Sequence, residues 1–207
     1  FNLGSSGQNP ILSYYILKES LRIGQKPKFI IMEVYWGVLK EHNQDYDYSS
    51  YVYRNMKFSK NKTSLLFSAF KFPSALKLSS RFFNDRYIIE LCAKYLSGED
   101  VGHYLGKGYV EYTSKASLNS ISNQKNDFSG IDLESGRLDY LEKIIKLAKE
   151  NGINIVFVSS PMPPTIFKNS TGYMNIYKQI KKLADKYNIE YFDYSINLHI
   201  FVYTLYK

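Results

Sequence analysis

The stretch Ile153-Asn154-Ile155-Val156-Phe157-Val158-Ser159-Ser160-Pro161-Met162-Pro163-Pro164 decides the fold. Its first six residues are largely β-branched or aromatic, which predicts a strand buried on both faces of a parallel sheet. The three prolines that follow force a loop at the strand's carboxyl end, since proline cannot donate to a ladder. Upstream, Leu138, Leu141, Ile145 and Ala148 recur at helical spacing, and Gly152 supplies the stop. Downstream, Ile176, Ile180, Leu183 and Tyr187 mark another amphipathic helix, and Ile189 to Tyr194 another strand. The same order occurs near the start. A helix over Ile11 to Ile23, ended by Gly24 and Pro27, precedes the apolar run Phe29-Ile30-Ile31-Met32-Glu33-Val34, in which Glu33 is the exception. Helix and strand alternating in this way predict an α/β fold: a three-layer, flavodoxin-like sandwich with a mostly parallel sheet, right-handed crossovers and helices on both faces.

Ligands of such sheets gather at the carboxyl ends of the strands. Those ends are expected at Gly4 to Gln8, Tyr35 to Val38, Ser159 to Pro164 and just after Asp193. The opening segment, Phe1-Asn2-Leu3-Gly4-Ser5-Ser6-Gly7-Gln8, reads as a strand end running through a glycine-bracketed turn into a helix. Backbone N–H groups at such a turn can hold an oxyanion or a phosphate. Because the chain opens mid-strand without an initiator Met, it is expected to be a fragment. Ser5 or Ser6 could act as a nucleophile on a strand-to-helix turn, although Gly-x-Ser-x-Gly is not matched. Alternatively, both serines cap the following helix.

Residues 38–131 differ in kind. They carry Tyr46, Tyr48, Tyr51 and Tyr53, then helices expected near 62–71 and 74–97, then Gly102, Gly106 and Gly108 and a Ser/Asn-rich passage that reads as exposed loop. This region is expected to be a mainly helical cap or lid inserted into a single α/β domain spanning 1–207. The aromatic and basic mixture from Tyr46 to Lys62 has two readings: a packed lid, or a surface on which bases or sugars stack.

Apolar residues make up 44% of the 207 and charged residues 22%, so the chain has the composition of a folded domain. Lys and Arg exceed Asp and Glu by 27 to 19, a net charge of +8, which favours anionic partners such as nucleic acid, lipid headgroups or phosphate-bearing polymers. The lysines are scattered with no block of five or more like charges, which favours a solvated basic surface. Without an RNA-binding signature, no nucleic-acid partner is expected. One cysteine, Cys92, excludes an internal disulfide and a CxxC metal site. None of His42, His103 and His199 is paired at metal-ligand spacing, so no metal and no cofactor is expected. His42 and His103 fall in expected loops. His199 follows Asp193 by six residues and is the candidate base, or else part of a half-buried segment. Sequons stand at Asn61 and Asn169. No apolar run reaches the roughly 18 residues of a membrane span.

These segments resemble the SGNH/GDSL hydrolase superfamily, especially its bacterial branch tied to acylation of cell-surface polysaccharide and teichoic acid. The pattern Asn2-x-Gly4-x-x-Gly7 is similar to that family's second block, whose last glycine donates a backbone N–H to the oxyanion. By resemblance that role falls to Gly7. Glu33-Val34-Tyr35-Trp36-Gly37-Val38 stands in place of the third block, with Gly37 where the oxyanion-binding Asn would be. Tyr191-Phe192-Asp193-Tyr194-Ser195 resembles the strand leading to the final Asp-x-x-His block. In that family the Ser precedes the second block and the Asp-x-x-His pair follows the last strand, so the nucleophilic Ser is expected upstream of Phe1 and the Asp–His pair at or beyond Lys207; the one Asp-x-x-His in the chain, Asp100-x-x-His103, falls within 38–131 instead. The resemblance implies an ester hydrolase or acyl transferase acting on acylated carbohydrate or a polyanionic surface polymer, in the cell envelope and near a membrane. A non-catalytic binding or scaffold module of the same fold is the alternative, and a basic nucleic-acid-binding protein the third reading. Oligomeric state is not legible.

Overall fold

The structure is a computed structural model that describes residues 8–39, 50, 52–69, 103–106, 109–111, 136–168 and 170–196. Its elements are α1 (Pro10–Arg22), β1 (Phe29–Glu33), α2 (Trp36–Leu39), α3 (Lys60–Ala69), β2 (His103–Gly106), β3 (Tyr109–Glu111), α4 (Arg137–Glu150), β4 (Asn154–Ser159), α5 (Pro164–Lys168), α6 (Tyr173–Lys186) and β5 (Tyr191–Asp193). The chain divides into two compact units. One comprises Phe1–Glu19 with His42–Lys115, the other Ser20–Glu41 with Ala116–Lys207.

The second unit is an α/β body built on a parallel three-stranded sheet in the order β1-β4-β5. Phe29 lies opposite Asn154, and Glu33 opposite Val158. On the other side of β4, Phe157 lies opposite Tyr191 and Ser159 opposite Asp193. Paired residues in a parallel ladder share a face, so Met32, Phe157 and Tyr191 line one side. That side is core: Met32 and Phe157 are buried, and Tyr177 of α6 stacks on Tyr191 at 5.5 Å. The helices contribute the stripes their periodicity predicts. Leu141, Ile144, Ile145 and Ala148 of α4 are buried, as are Tyr173, Ile176, Ile180 and Ala184 of α6. On β1 the expectation of two buried faces fails, because Phe29 is 52% and Ile31 70% exposed while Met32 and Val34 are buried. An apolar run reports affinity for a core, not whether both sides of the strand are covered.

All three helices that feed the sheet end in the same way. After α1, the N–H of Gly24 donates to Leu21 O and that of Gln25 to Ser20 O, with Gly24 at φ 80°. After α4, Gly152 (φ 62°) donates to Lys149 O and Ile153 to Ala148 O. After α6, Asn188 (φ 50°) donates to Asp185 O and Ile189 to Ala184 O. This is the Schellman pattern, in which one left-handed residue reverses the chain and satisfies two helical carbonyls. Asparagine is the non-glycine residue that best tolerates that conformation.

In the first unit, α1 begins at Pro10, and its cap is Asn9, whose Oδ1 accepts the Leu12 N–H at 3.1 Å. Ser5 and Ser6, for which a capping role is one reading, lie outside the described residues. Ser59 caps α3 by accepting the Lys62 N–H at 3.1 Å, while Leu65 and Leu66 are buried. Within the loop expected at Gly102 to Gly108, residues His103–Gly106 form a strand paired antiparallel with Tyr109–Glu111, His103 lying opposite Glu111 and Gly106 opposite Tyr109. His103 accordingly starts a strand rather than lying in a loop.

Candidate functional site

Polar groups collect at the carboxyl edge of the three-stranded sheet, and Asp193, the last residue of β5, is their centre. Its side chain is 2% exposed, and its two oxygens accept four hydrogen bonds. Oδ1 takes the N–H groups of Ser195 at 2.9 Å and Ile196 at 3.2 Å, which caps the helical turn at 194–196. Oδ2 takes the hydroxyl protons of Tyr173 at 2.8 Å and Tyr191 at 3.0 Å. Tyr191 has one proton, and it points to the carboxylate. The Ser159 hydroxyl, 2.9 Å from Tyr191 Oη, is therefore the donor of that pair. Burial pushes both tyrosines well above the ordinary phenol range, and the neighbouring Asp193 charge adds to it. The Ser159 hydrogen bond partly opposes the shift at Tyr191.

Ser195 joins this centre to the loop after β4. Its hydroxyl accepts the Met162 N–H at 2.9 Å and donates to Ser160 O at 3.1 Å. The loop that the prolines predicted is thus clamped to the end of β5. Just outside, the exposed Ser160 hydroxyl donates to the Glu33 carboxylate at the end of β1. Buried Arg137 at the start of α4 donates from Nη1 to Val38 O at 2.8 Å, tying α2, which follows β1, to α4. The arrangement offers an accessible hydroxyl beside a carboxylate, held on a rigid buried network. Among the described residues it has no imidazole, the group that would take a proton from a serine nucleophile.

Asp193 is a poor orienting partner for His199, since a carboxylate has about four acceptor positions and all four are taken. Ser5, Ser6, Gly7 and His199 lie outside the described residues, as do His42, Cys92, the expected helix at 74–97 and the Asn169 sequon. Gly37 is buried in α2, where an added Cβ would collide with the ring of Tyr35, so a larger residue there requires Tyr35 to move. Asn61 is unsuited to glycosylation: it is buried, and its amide donates to Glu19 Oε2 at 2.9 Å. Sequence reasoning missed Tyr173, Tyr191 and Ser195 as partners of Asp193. The available signal was Asp193-x-Ser195 immediately after a strand, a cap pattern. Among the described residues no group of three His, Cys, Asp or Glu could hold a metal ion, and no helix is long and apolar enough to cross a membrane. No protein-family model, curated protein or solved structure matches the chain.

Proposed function

We propose that the chain belongs to an SGNH-like ester hydrolase or acyl transferase acting on acylated cell-surface carbohydrate at the cell envelope. In this reading the fold is a three-layer sandwich into which residues 38–131 are inserted. The observation that carries the proposal is the convergence of Glu33, Ser159, Ser160, Asp193 and Ser195 on the carboxyl edge of a parallel sheet. This edge is where ligands of open α/β sheets bind. Asn2-x-Gly4-x-x-Gly7 supports it as the oxyanion-binding turn. The nucleophilic Ser passes its proton to the His base as it attacks the ester carbonyl, Gly7 N–H stabilises the resulting oxyanion, and collapse of the intermediate expels the sugar oxygen, which takes that proton from the His and leaves as a hydroxyl. Water or an acceptor hydroxyl then takes the acyl group. The proposal requires that the intact protein carry a nucleophilic Ser and an Asp–His pair outside residues 1–207.

The alternative is a non-catalytic module of the same fold. It is favoured by the saturation of Asp193 with four hydrogen bonds and by Gly37 in the position of the oxyanion-binding Asn. The intact protein discriminates the two. The hydrolase proposal requires Gly-x-Ser before Phe1, Asp-x-x-His after Lys207, and p-nitrophenyl acetate turnover that vanishes when the upstream Ser is replaced by Ala. Equal turnover by both forms, or absence of either motif, supports the module instead.

A further inference from the structure

The turn that leads into α3 holds an aromatic residue out in water. Phe58 is 91% exposed. It stands immediately before the cap Ser59, where an apolar residue ordinarily packs against the fourth helical residue. That residue is Thr63, which is polar and exposed, so the usual contact is absent. The turn is nonetheless tightly held. Ser59 Oγ donates to Glu19 Oε2 at 3.0 Å while accepting the Lys62 N–H, and Asn61 donates to the same carboxylate oxygen. Lys62 folds inward, with Nζ 2.7 Å from Met56 O and 4.7 Å from the centre of the Tyr53 ring. Burial lowers the Lys62 pKa accordingly. Phe58 is thus displayed on a preorganised turn.

Its surroundings are cationic and apolar. Lys57 and Lys60 are exposed, and neither has an ion pair among the described residues. Along α3, Lys60, Ser64 and Phe67 fall on one stripe by the i, i+4, i+7 rule, and Phe67 is 66% exposed. Phenyl side chains offer no hydrogen bond to a sugar hydroxyl but fit the boundary between headgroups and acyl chains, where flanking lysines meet lipid phosphates. The net charge of +8 supplies long-range attraction toward the same surface.

We infer that Phe58, with Lys57, Lys60 and Phe67, forms a peripheral docking patch for an anionic lipid bilayer. The test is co-sedimentation of the 207-residue chain with vesicles of phosphatidylcholine, alone or mixed with phosphatidylglycerol. Binding is expected to the mixed vesicles only, to weaken with salt, and to fall about tenfold in Phe58→Ser, the loss of one buried phenyl group. The double variant Lys57→Gln/Lys60→Gln is expected to bind about 20-fold more weakly at low salt. In Phe58→Trp, brominated acyl chains are expected to quench fluorescence beyond the level seen with Trp36 alone. Unchanged binding by Phe58→Ser overturns the inference, as does a bound Phe58→Trp that is not quenched. Dextran sulfate retaining the chain through Phe58 while mixed vesicles do not assigns the patch to a polymer and also overturns it. Because Phe58 is exposed, circular dichroism is expected to be unchanged in all three variants.

Discussion

Replacing Asp193 tests whether the edge of the sheet is held by one saturated carboxylate. Asp193→Ala removes the acceptor from four donors at once, two backbone N–H groups and two tyrosine hydroxyls. A hydrogen bond to a charged group contributes about 1.5–3 kcal/mol, and the four share one carboxylate, so their sum overstates the loss. Removing one partner from a buried charged network costs about 3–5 kcal/mol, the figure expected here. Asp193→Asn is the sharper substitution because it preserves shape. Its one oxygen can still serve a pair of donors, but its amide turns hydrogens toward the other pair, and a loss of about 2–4 kcal/mol follows. Tyr173→Phe deletes one donor to the carboxylate and is expected to cost about 1.5 kcal/mol, and Tyr191→Phe, which also leaves the buried Ser159 hydroxyl without its acceptor, about 2 kcal/mol. Urea unfolding at neutral pH, followed by far-ultraviolet circular dichroism, gives all four values on one scale. The predicted order is Ala, then Asn, then the two Phe variants. An Asp193→Asn protein within about 0.5 kcal/mol of the parent would refute the network as drawn, since an ordinary surface change has that size.

The two raised tyrosines predict an alkaline limit. Their protonated forms are favoured in the folded state, so their stabilisation is complete below the ordinary value of 10.0 and is lost as pH rises above it toward the folded values. Absorbance at 295 nm should show Tyr173 and Tyr191 ionising only together with unfolding, and early titration of both would contradict their placement. At the acid end, Glu142 is held at about 2, first by the Tyr187 hydroxyl and then by Lys146 and Lys186. Its contribution is present above the ordinary value of 4.5 and is lost as pH falls toward 2. Glu142→Gln should therefore lower the urea midpoint at pH 7 slightly and flatten its fall below pH 4.5, and parallel profiles for the two proteins would exclude the linkage.

What could be read from the sequence was what local chemistry imposes. Ile153 to Val158 announced β4, and the periodicity of Leu141, Ile145 and Ala148 gave the buried stripe of α4. Gly24 and Gly152 announced the helix ends they form, while Asn188, which does the same after α6, passed unnoticed because asparagine marks a left-handed residue less strongly. The carboxyl ends of β1, β4 and β5 were anticipated as the ligand-binding edge. The partners gathered there were not: Tyr173 lies 20 residues from Asp193, and Met162 lies 33 from Ser195, so only the folded chain brings them together. Arg137 escaped for a related reason. A charged residue in the first turn of an amphipathic helix reads as solvated until Val38 O, 99 residues away, is seen to receive it. Gly106 misled because a glycine at a strand end and a glycine in a loop look alike in sequence.

The junction after α4 also bears on how the protein ages. Asn151-Gly152 is the dipeptide most prone to spontaneous deamidation, because the Gly nitrogen readily attacks the Asn side-chain carbonyl to form a succinimide. Here that nitrogen donates to Lys149 O at 2.9 Å, and the Asn151 amide donates to Leu147 O at 2.8 Å. Cyclisation must break both bonds and undo the left-handed turn at Gly152. Intact chains should consequently age by one mass unit at this site only as fast as the end of α4 opens. The isoaspartate content of stored protein becomes a slow clock for local opening of the helix, readable by mass spectrometry without any denaturant.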